Sequence, residues 1–396
     1  MLIFICPALI DLIGFVAIFA VSYGAGERGM TMMQVAWLQG LFQIAYMVTS
    51  LAAGFVLNRG NARIILFASI VVALVSVAAC LLITVFLPLI VAMLVFGVCF
   101  AFFFNSFQTF MRGEAPPGSL VRTTALYTLA WSAGSSFGLQ VAGSLYRQGA
   151  LVLVAATVAV GLVVIGILMY HSPRSLEDPS ADDQHDAADV DAIVRRRYVW
   201  IAWIIIFTTM FVQRPIFSFF PTLSARAGVH PALASLPLCL HMLCQGLFGL
   251  AIAWFPRWLY RRWPLVAFQS VAAILFLVIW LAPGFGIAAT LISLLGIWSG
   301  FAYFMAVYYA SNAGNRSRNV GVNEFLVGLG SSAGIFTMEW AMGRNTAAPA
   351  AGQNGGDPGS LYLVCALALI VATIVQILTA GRDGRRGFDS HRRESV

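Results

Sequence analysis

Charged side chains are scarce in this sequence, and every positively charged one is an arginine, because lysine does not occur. Of the 396 residues, 10% are charged and 60% are hydrophobic, and the mean hydropathy is +0.87. A chain with so few charges has too little polar surface to cover a water-soluble core. The composition therefore excludes an ordinary soluble globular protein and favours a protein whose solvent is lipid.

The sequence also lacks the short motifs that mark enzymes and cofactor sites. It contains no HExxH, no phosphate-binding glycine loop and no CxxC. Its six cysteines fall inside apolar stretches, where a thiol behaves as a small hydrophobic group. We therefore expect no enzymatic activity, no metal and no cofactor. The net charge of +7 comes from arginines at the ends of apolar stretches, so nucleic acid is not an expected partner.

Twelve long apolar stretches make up most of the chain. A helix of about 20 residues crosses a hydrocarbon layer about 30 Å thick and satisfies its own backbone hydrogen bonds there. The first stretch begins near Met1 without a positively charged leader, so we expect it to be retained. The sequence predicts an all-α membrane protein with transmembrane helices at residues 2–23, 33–57, 63–83, 86–111, 121–146, 149–170, 198–220, 232–255, 263–282, 285–311, 320–343 and 360–380.

Arginines are distributed unevenly between the two sets of connections. If the connection at 171–197 is cytoplasmic, eighteen arginines lie on its side of the membrane and four on the opposite side. This bias follows the positive-inside rule and predicts that both termini are cytoplasmic, with the chain in the cell (inner) membrane. Residues 171–197 are acidic before a final run of three arginines, which predicts a flexible cytoplasmic linker, and residues 381–396 form a basic cytoplasmic tail.

Two segments of similar sequence indicate an internal repeat. Residues 129–143 read LAWSAGSSFGLQVAG and residues 328–334 read GLGSSAG, so both contain Gly-Ser-Ser-x-Gly. The pattern favours two parallel six-helix units, an N-terminal bundle at 1–170 and a C-terminal bundle at 198–380. The alternative is that small residues recur wherever membrane helices approach closely.

A motif between the second and third predicted helices resembles a known family. Residues 54–63 read GFVLNRGNAR, which is similar to the pattern Gly-x-x-x-Asp-Arg-x-Gly-Arg-Arg of the major facilitator superfamily, abbreviated MFS. Gly54, Arg59 and Arg63 match, whereas Asn58 replaces the acid of the pattern. Together with the topology, this motif makes the chain similar to an MFS secondary transporter over nearly its whole length.

That resemblance implies a monomer whose two six-helix bundles rock about a central cavity lined mainly by helices 1, 4, 7 and 10. It also implies a cytoplasmic gate at the motif, although the missing acid puts the charge relay of that gate in doubt. The proline-bearing antiporter motif of helix 5 is absent, which slightly disfavours drug antiport. The gate residues that we expect are Gly54, Asn58, Arg59, Arg63, Arg112 and Glu324.

Four charged residues of the predicted helices, Asp11, Arg214, Glu324 and Glu339, are candidates for a functional site, because a charge inside the membrane is costly unless it meets water or a partner. Asp11 lies about 15 Å into the first helix, near the midplane. Burial of a carboxyl group disfavours its charged form, so we expect Asp11 to couple proton binding to the conformational switch; the alternative is a purely structural carboxyl group. Arg214 and Glu339 lie near the outer surface and are expected to pair, to extend to the interface, or to present Arg214 to an anionic substrate. Glu324 lies near the cytoplasmic end of helix 11.

Polar and aromatic residues at helical spacing supply further candidates for the substrate cavity. Amides beside aromatic rings suit neutral polar organic molecules, but the same residue types also hold membrane helices together. For His241 the structural role is the stronger expectation. The cavity candidates are Gln39, Gln43, Asn105, Gln108, Arg214, His241, Gln245, Tyr303, Tyr308 and Glu339.

The sequence thus predicts a secondary transporter that moves a small organic solute by alternating access, coupled to protons, with uptake slightly favoured. Proton-exchanged efflux of drugs or metabolites is the alternative within the same class, followed by a facilitator without coupling. A non-transporting membrane sensor or scaffold on the same fold is the alternative from another class. The expected partners are the small-molecule substrate, protons and the lipid bilayer.

Overall fold

A computed structural model of the protein describes residues 2–57, 60–110, 120–170, 190, 192–282, 284–312, 316–344 and 358–380. Within these residues the chain forms twelve long α-helices and no strand, which confirms the predicted all-α fold. Two 3₁₀ turns, Tyr146–Gln148 and Pro256–Trp258, lie in connections. The helices are α1 (Leu2–Glu27), α2 (Met32–Val56), α3 (Ala62–Leu82), α4 (Phe86–Phe110), α5 (Leu120–Leu145), α6 (Ala150–Tyr170), α7 (Ala192–Arg226), α8 (Pro231–Ile252), α9 (Arg262–Leu281), α10 (Phe285–Ser311), α11 (Arg316–Arg344) and α12 (Pro358–Ala380).

Ten of these helices are long and apolar enough, in their described residues, to cross a membrane. The other two, α5 and α11, have comparable lengths but carry more glycine, serine and threonine, including the repeated Gly-Ser-Ser-x-Gly. Because successive helices cross in opposite directions, all odd-to-even connections lie at one membrane face. We call that face the far side, and we call the opposite face, where α1 begins and α12 ends, the terminus side.

Helix α7 begins at Ala192, six residues before the predicted start at 198. The extension includes Arg195–Arg197, which the sequence placed in the linker. Arginine is a good helix former, and Arg197 Nη1 donates a hydrogen bond to the carbonyl of Ala380 at the end of α12, at 3.2 Å. This contact anchors the first turns of α7 to the C-terminal bundle.

The two halves end their first helices in the same way. Gly29 after α1 has φ of 67° and Gly228 after α7 has φ of 71°. In both places the glycine N–H bonds to the carbonyl three residues earlier, and the next residue bonds to the carbonyl five residues earlier, as in a Schellman motif. Met30 and Val229, the residues that follow the two glycines, therefore occupy equivalent positions, as expected of two repeated units.

Glycines also bring corresponding helix pairs together within each half. Gly134 and Gly138 of α5 lie against the backbone of α1 at Ala8 and Leu12, with no room for a side chain. Gly330 and Gly334 of α11 lie in the same way against the carbonyls of Phe207 and Phe211 of α7. Such close backbone approach is how small residues stabilise helix pairs in lipid, where burying apolar surface gives little advantage. The repeated motif therefore packs α1 on α5 and α7 on α11.

Candidate functional site

The two halves meet along α1 with α7, α2 with α11, and α5 with α8 and α10. Asp11 lies on α1 in this interface, and only 5% of the residue is exposed. Among the described residues its carboxyl group has no hydrogen-bond partner and no cation within 4.0 Å. The charges that act on it are those of Arg214 on α7 and Glu324 on α11, both from the C-terminal half. A buried carboxyl group of one half thus lies in the electrostatic field of the other half.

Arg214 of α7 contacts α1 one helical turn beyond Asp11. Its guanidinium carbon lies 5.5 Å from the ring centre of Phe15, four residues after Asp11 on α1. Phe15 in turn makes an edge contact with Phe217, with ring centres 5.6 Å apart. Arg214 Nε is buried without a hydrogen-bond acceptor. The cation therefore lies on an aromatic face, with part of its hydrogen-bonding capacity unused.

Of the alternatives for Arg214 and Glu339, the ion pair between them is not present among the described residues. The ion pair present in the described part of the chain joins Arg147 to Glu27 at 3.0 Å, at the far side. Glu339 lies on α11, partly buried, and is not among the charges that act on Arg214. Its separation from the interior site follows from its position on the helix, fifteen residues beyond Glu324.

Tyr46 and Glu324 connect the two halves closer to the terminus side. The Tyr46 hydroxyl donates a hydrogen bond to Glu324 Oε2 at 2.7 Å, which joins α2 to α11. Tyr303 on α10 is within electrostatic range of Glu324, Arg214 and Asp11. Its ring packs against Trp131 of α5, with ring centres 4.5 Å apart. The structure thus groups Asp11, Tyr46, Trp131, Arg214, Tyr303 and Glu324 around one interior region, which we call the central site.

A buried chain of amides lies beside the central site. Gln213 Nε2 donates to Gln245 Oε1 at 2.6 Å and to His241 Nε2 at 2.9 Å. Gln245 Nε2 donates to Ser132 Oγ at 3.0 Å, so the chain crosses from α8 to α5. His241 Nδ1 lies 2.7 Å from the carbonyl of Ile292 and therefore carries its proton, which makes Nε2 the acceptor.

Both ring nitrogens of His241 have hydrogen-bond partners, which is the arrangement that a structural role requires. Gln213 was not among the candidates, although it precedes Arg214 in sequence. Gln213 on α7 contacts residues on α8, and a single sequence does not show which residues of two different helices are in contact. Gln213 fixes the helix turn on which Arg214 sits.

The remaining cavity candidates lie elsewhere. Gln39 is buried and donates to Ser22 Oγ at 2.9 Å, which joins α2 to α1, while Gln43 is buried on α2. Asn105 Nδ2 donates to the carbonyl of Ala101 at 2.8 Å and to Ser50 Oγ at 3.3 Å. Tyr308 packs with other tyrosines of the C-terminal half, where its hydroxyl accepts from Asn312 Nδ2 at 3.1 Å.

The expected gate residues are only partly described. Gly54 is exposed at the end of α2 and Arg63 is exposed on α3. Glu324 lies in the central site through Tyr46. The residues Asn58, Arg59 and Arg112 and the side chain of Gln108 lie outside the described residues.

At the far side, reciprocal hydrogen bonds close the two halves against each other. The Tyr23 hydroxyl of α1 donates to the carbonyl of Val229 after α7, at 2.7 Å. In return, Arg226 of α7 donates to the carbonyl of Met30 after α1. Thr222 Oγ1 adds a bond to the backbone of α1 at 2.8 Å. The acceptors of the first two bonds, Val229 and Met30, are the equivalent residues of the two Schellman motifs, so the repeated helix ends also build this far-side closure.

Tyr146 supports the far-side closure from the connection after α5. Its hydroxyl donates to Glu27 Oε2 at 3.0 Å, and its ring lies edge-on to Tyr23, with ring centres 5.0 Å apart. Burial and then the Glu27 carboxylate raise the pKa of the Tyr146 phenol. The phenol therefore stays protonated and remains a hydrogen-bond donor at physiological pH.

Comparisons with known proteins agree with this architecture. The model of the Major Facilitator Superfamily matches residues 3–335. A crystal structure of a D-xylose-proton symporter superposes with a TM-score of 0.73 at 13% identity, covering 97% of this chain and 98% of that chain. A crystal structure of a bacterial homologue of the human lysosomal transporter Spinster, inward-facing and unoccupied, superposes with a TM-score of 0.61 at 15% identity, covering 96% of this chain and 95% of that chain. The inward-facing occupied form of the same homologue superposes with a TM-score of 0.59 at 16% identity, covering 95% of this chain and 94% of that chain. No curated protein matches the sequence.

Proposed function

The chain belongs to the Major Facilitator Superfamily, and we propose that it is a proton-coupled secondary transporter that takes up a small organic solute through the central site. The observation that carries this proposal is Asp11. Its carboxyl group is 5% exposed, has no hydrogen-bond partner among the described residues, and lies in the field of Arg214 and Glu324. An intramembrane carboxyl group without a structural partner is a candidate for proton binding.

The coupling follows from the fact that Asp11 and the charges around it belong to different halves. Arg214 stabilises a charged Asp11, and Glu324 opposes it. When the halves rock, the distances from Asp11 to Arg214 and Glu324 change, and so does the proton affinity of Asp11. The coupling is reciprocal: the free energy by which proton binding stabilises one arrangement of the halves equals the free energy by which that arrangement strengthens proton binding. A solute held between the halves at Tyr303 and Trp131 is carried by the same motion.

The far-side closure supports uptake as the direction of transport. Tyr23, Thr222 and Arg226 hold α1 and α7 together at the far side, above Asp11. If the arginine bias places the terminus side in the cytoplasm, the face held closed by these bonds is the outer one. Uptake then corresponds to solute release on the side where both termini lie.

A thermal-shift screen followed by transport measurement tests the proposal. The purified protein is heated with sugars, nucleosides, amino acids, organic anions and cationic drugs, since a ligand at 100 times its Kd stabilises by about 2.7 kcal/mol. The solute that raises the melting temperature is then offered to proteoliposomes under an imposed pH gradient. We expect accumulation by the native protein and by the control Asp182→Asn in the acidic linker, and none by Asp11→Asn. Equal accumulation by Asp11→Asn contradicts the proposal, and binding without any flux supports a sensor instead.

A further inference from the structure

From the geometry of the central site we infer that the transported solute is a small monocarboxylate with an apolar or aromatic body, and that Arg214 binds its carboxylate. This inference rests on the proposed function and names the substrate class of the same site.

Arg214 is a cation placed in the interior of the interface without a matching anion. No carboxylate lies within 4.0 Å of it in the described residues, and its Nε is buried without an acceptor. A buried unpaired charge costs far more than an exposed one, so such a residue is retained where another group supplies the countercharge. Its neighbours Asp11, Phe15, Tyr46 and Tyr303 come from α1, α2 and α10, so its accessible part faces the interior between the halves and not lipid.

A second donor without an acceptor borders the same region. Trp131 Nε1 is buried and unpartnered, and the Trp131 ring packs on Tyr303 at 4.5 Å between ring centres. Tyr303 itself is within electrostatic range of Arg214. An indole N–H and a guanidinium only donate hydrogen bonds. The group that satisfies both kinds of donor is rich in acceptors and negatively charged, which describes a carboxylate.

The surfaces between these donors are aromatic. Phe15 lies beneath the guanidinium, Trp131 and Tyr303 pack on each other, and Tyr46 has its hydroxyl occupied by Glu324. Flat apolar walls suit the body of an aromatic or short aliphatic acid better than a polyhydroxylated ring, which requires many hydrogen-bonding partners.

The two acids near the site do not oppose this assignment. Glu324 is bound by the Tyr46 hydroxyl and is thereby engaged with α2. Asp11 carries the transported proton in the proposed function, so it is neutral when the anion is bound beside it. One anion and one proton then move together, and Arg214 exchanges the solute carboxylate for solvent on release.

Matched ligands and matched variants test this inference. Benzoate, phenylacetate, butyrate and lactate are compared with benzamide, phenylacetamide and benzylamine by calorimetric titration of the full-length protein in detergent. We expect at least one carboxylate to bind about tenfold or more tightly than its amide, because a charge-assisted hydrogen bond is lost in the amide. Arg214→Gln is expected to abolish that preference, Arg214→Lys to keep part of it, and the exposed control Arg257→Gln to leave it unchanged.

The outcomes separate this inference from the proposed function. Failure of every carboxylate to bind the folded native protein overturns the inference, as does tighter binding of the amides or of benzylamine. An unchanged carboxylate preference in a folded Arg214→Gln also overturns it. If a neutral solute or a cation is nevertheless accumulated under a pH gradient by the native protein and not by Asp11→Asn, the proposed function stands and only the substrate class is wrong.

Discussion

The Tyr46 hydroxyl donates a hydrogen bond to Glu324 Oε2, with 2.7 Å between the two oxygen atoms, and this bond joins α2 of one half to α11 of the other. A hydrogen bond to a charged group contributes about 1.5–3 kcal/mol. Tyr46→Phe is therefore expected to lower the melting temperature of the purified protein. Tyr170→Phe, at a side chain that is 93% exposed, is the matched control and is expected to melt like the native protein. Equal melting temperatures for the two variants would show that the bond does not hold the halves together.

The far-side closure predicts a population shift when its hydrogen bonds are removed. Tyr23→Phe combined with Thr222→Val deletes two bonds between α1 and α7, each worth about 0.5–1.5 kcal/mol. We expect the fraction of molecules open at the far side to rise about tenfold. Spin labels at the exposed positions Arg28 and Ala227, in a background without the native cysteines, report this as a longer distance in double electron–electron resonance. An unchanged distance distribution would mean that other contacts close the far side.

The glycine contacts predict which small residues tolerate replacement. Gly138→Leu and Gly334→Leu place a side chain where the backbone of Leu12 or Phe211 lies, and overpacking costs about 1–3 kcal/mol or more. An added Cβ at Gly166 on α6 meets no atom within 4 Å, so Gly166→Leu is the control. We expect the first two variants to lose most of the folded protein in fluorescence-detected gel filtration, with the control unaffected. Comparable loss at Gly166 would point to a general intolerance of bulk.

The amide network predicts that His241 is not the proton-binding group. Its Nδ1 donates to Ile292 and its Nε2 accepts from Gln213, so the ring is held in one neutral form. His241→Leu removes that acceptor and is expected to lower the melting temperature, because each unsatisfied buried group costs about 1–3 kcal/mol. His241→Gln, where it folds, is expected to keep the pH profile of transport. A displaced pH profile would assign part of the coupling to His241.

The sequence predicted the twelve helices and their assignment to one fold, because hydrophobic length is a local property. Asp11 was also recognisable from its depth in one apolar stretch. The charges around it were not, since Arg214 and Glu324 belong to helices more than two hundred residues away. An ion pair between Arg214 and Glu339 was one of the alternatives that their depth allowed, and it is not present among the described residues, because depth along a helix does not fix which face a side chain occupies.

Tyr308 and Gln213 also show that a single sequence does not reveal which way a helix residue faces. Tyr308 was predicted for the cavity, yet it packs among tyrosines of its own half. Gln213 had no distinguishing pattern and nevertheless lies at the centre of the buried amide chain. Helix rotation decides both cases, and rotation is set by contacts between helices that a single sequence does not display.

Proton movement driven by the solute tests the role of Asp11 most directly. Proteoliposomes loaded with the pH-sensitive dye pyranine receive the solute identified by thermal shift, without any imposed pH gradient. The account predicts internal acidification with the native protein and with Asp182→Asn in the acidic linker, and no acidification with Asp11→Asn, although this variant still exchanges labelled solute. Acidification by Asp11→Asn at the native rate would contradict the account and move proton coupling to another residue.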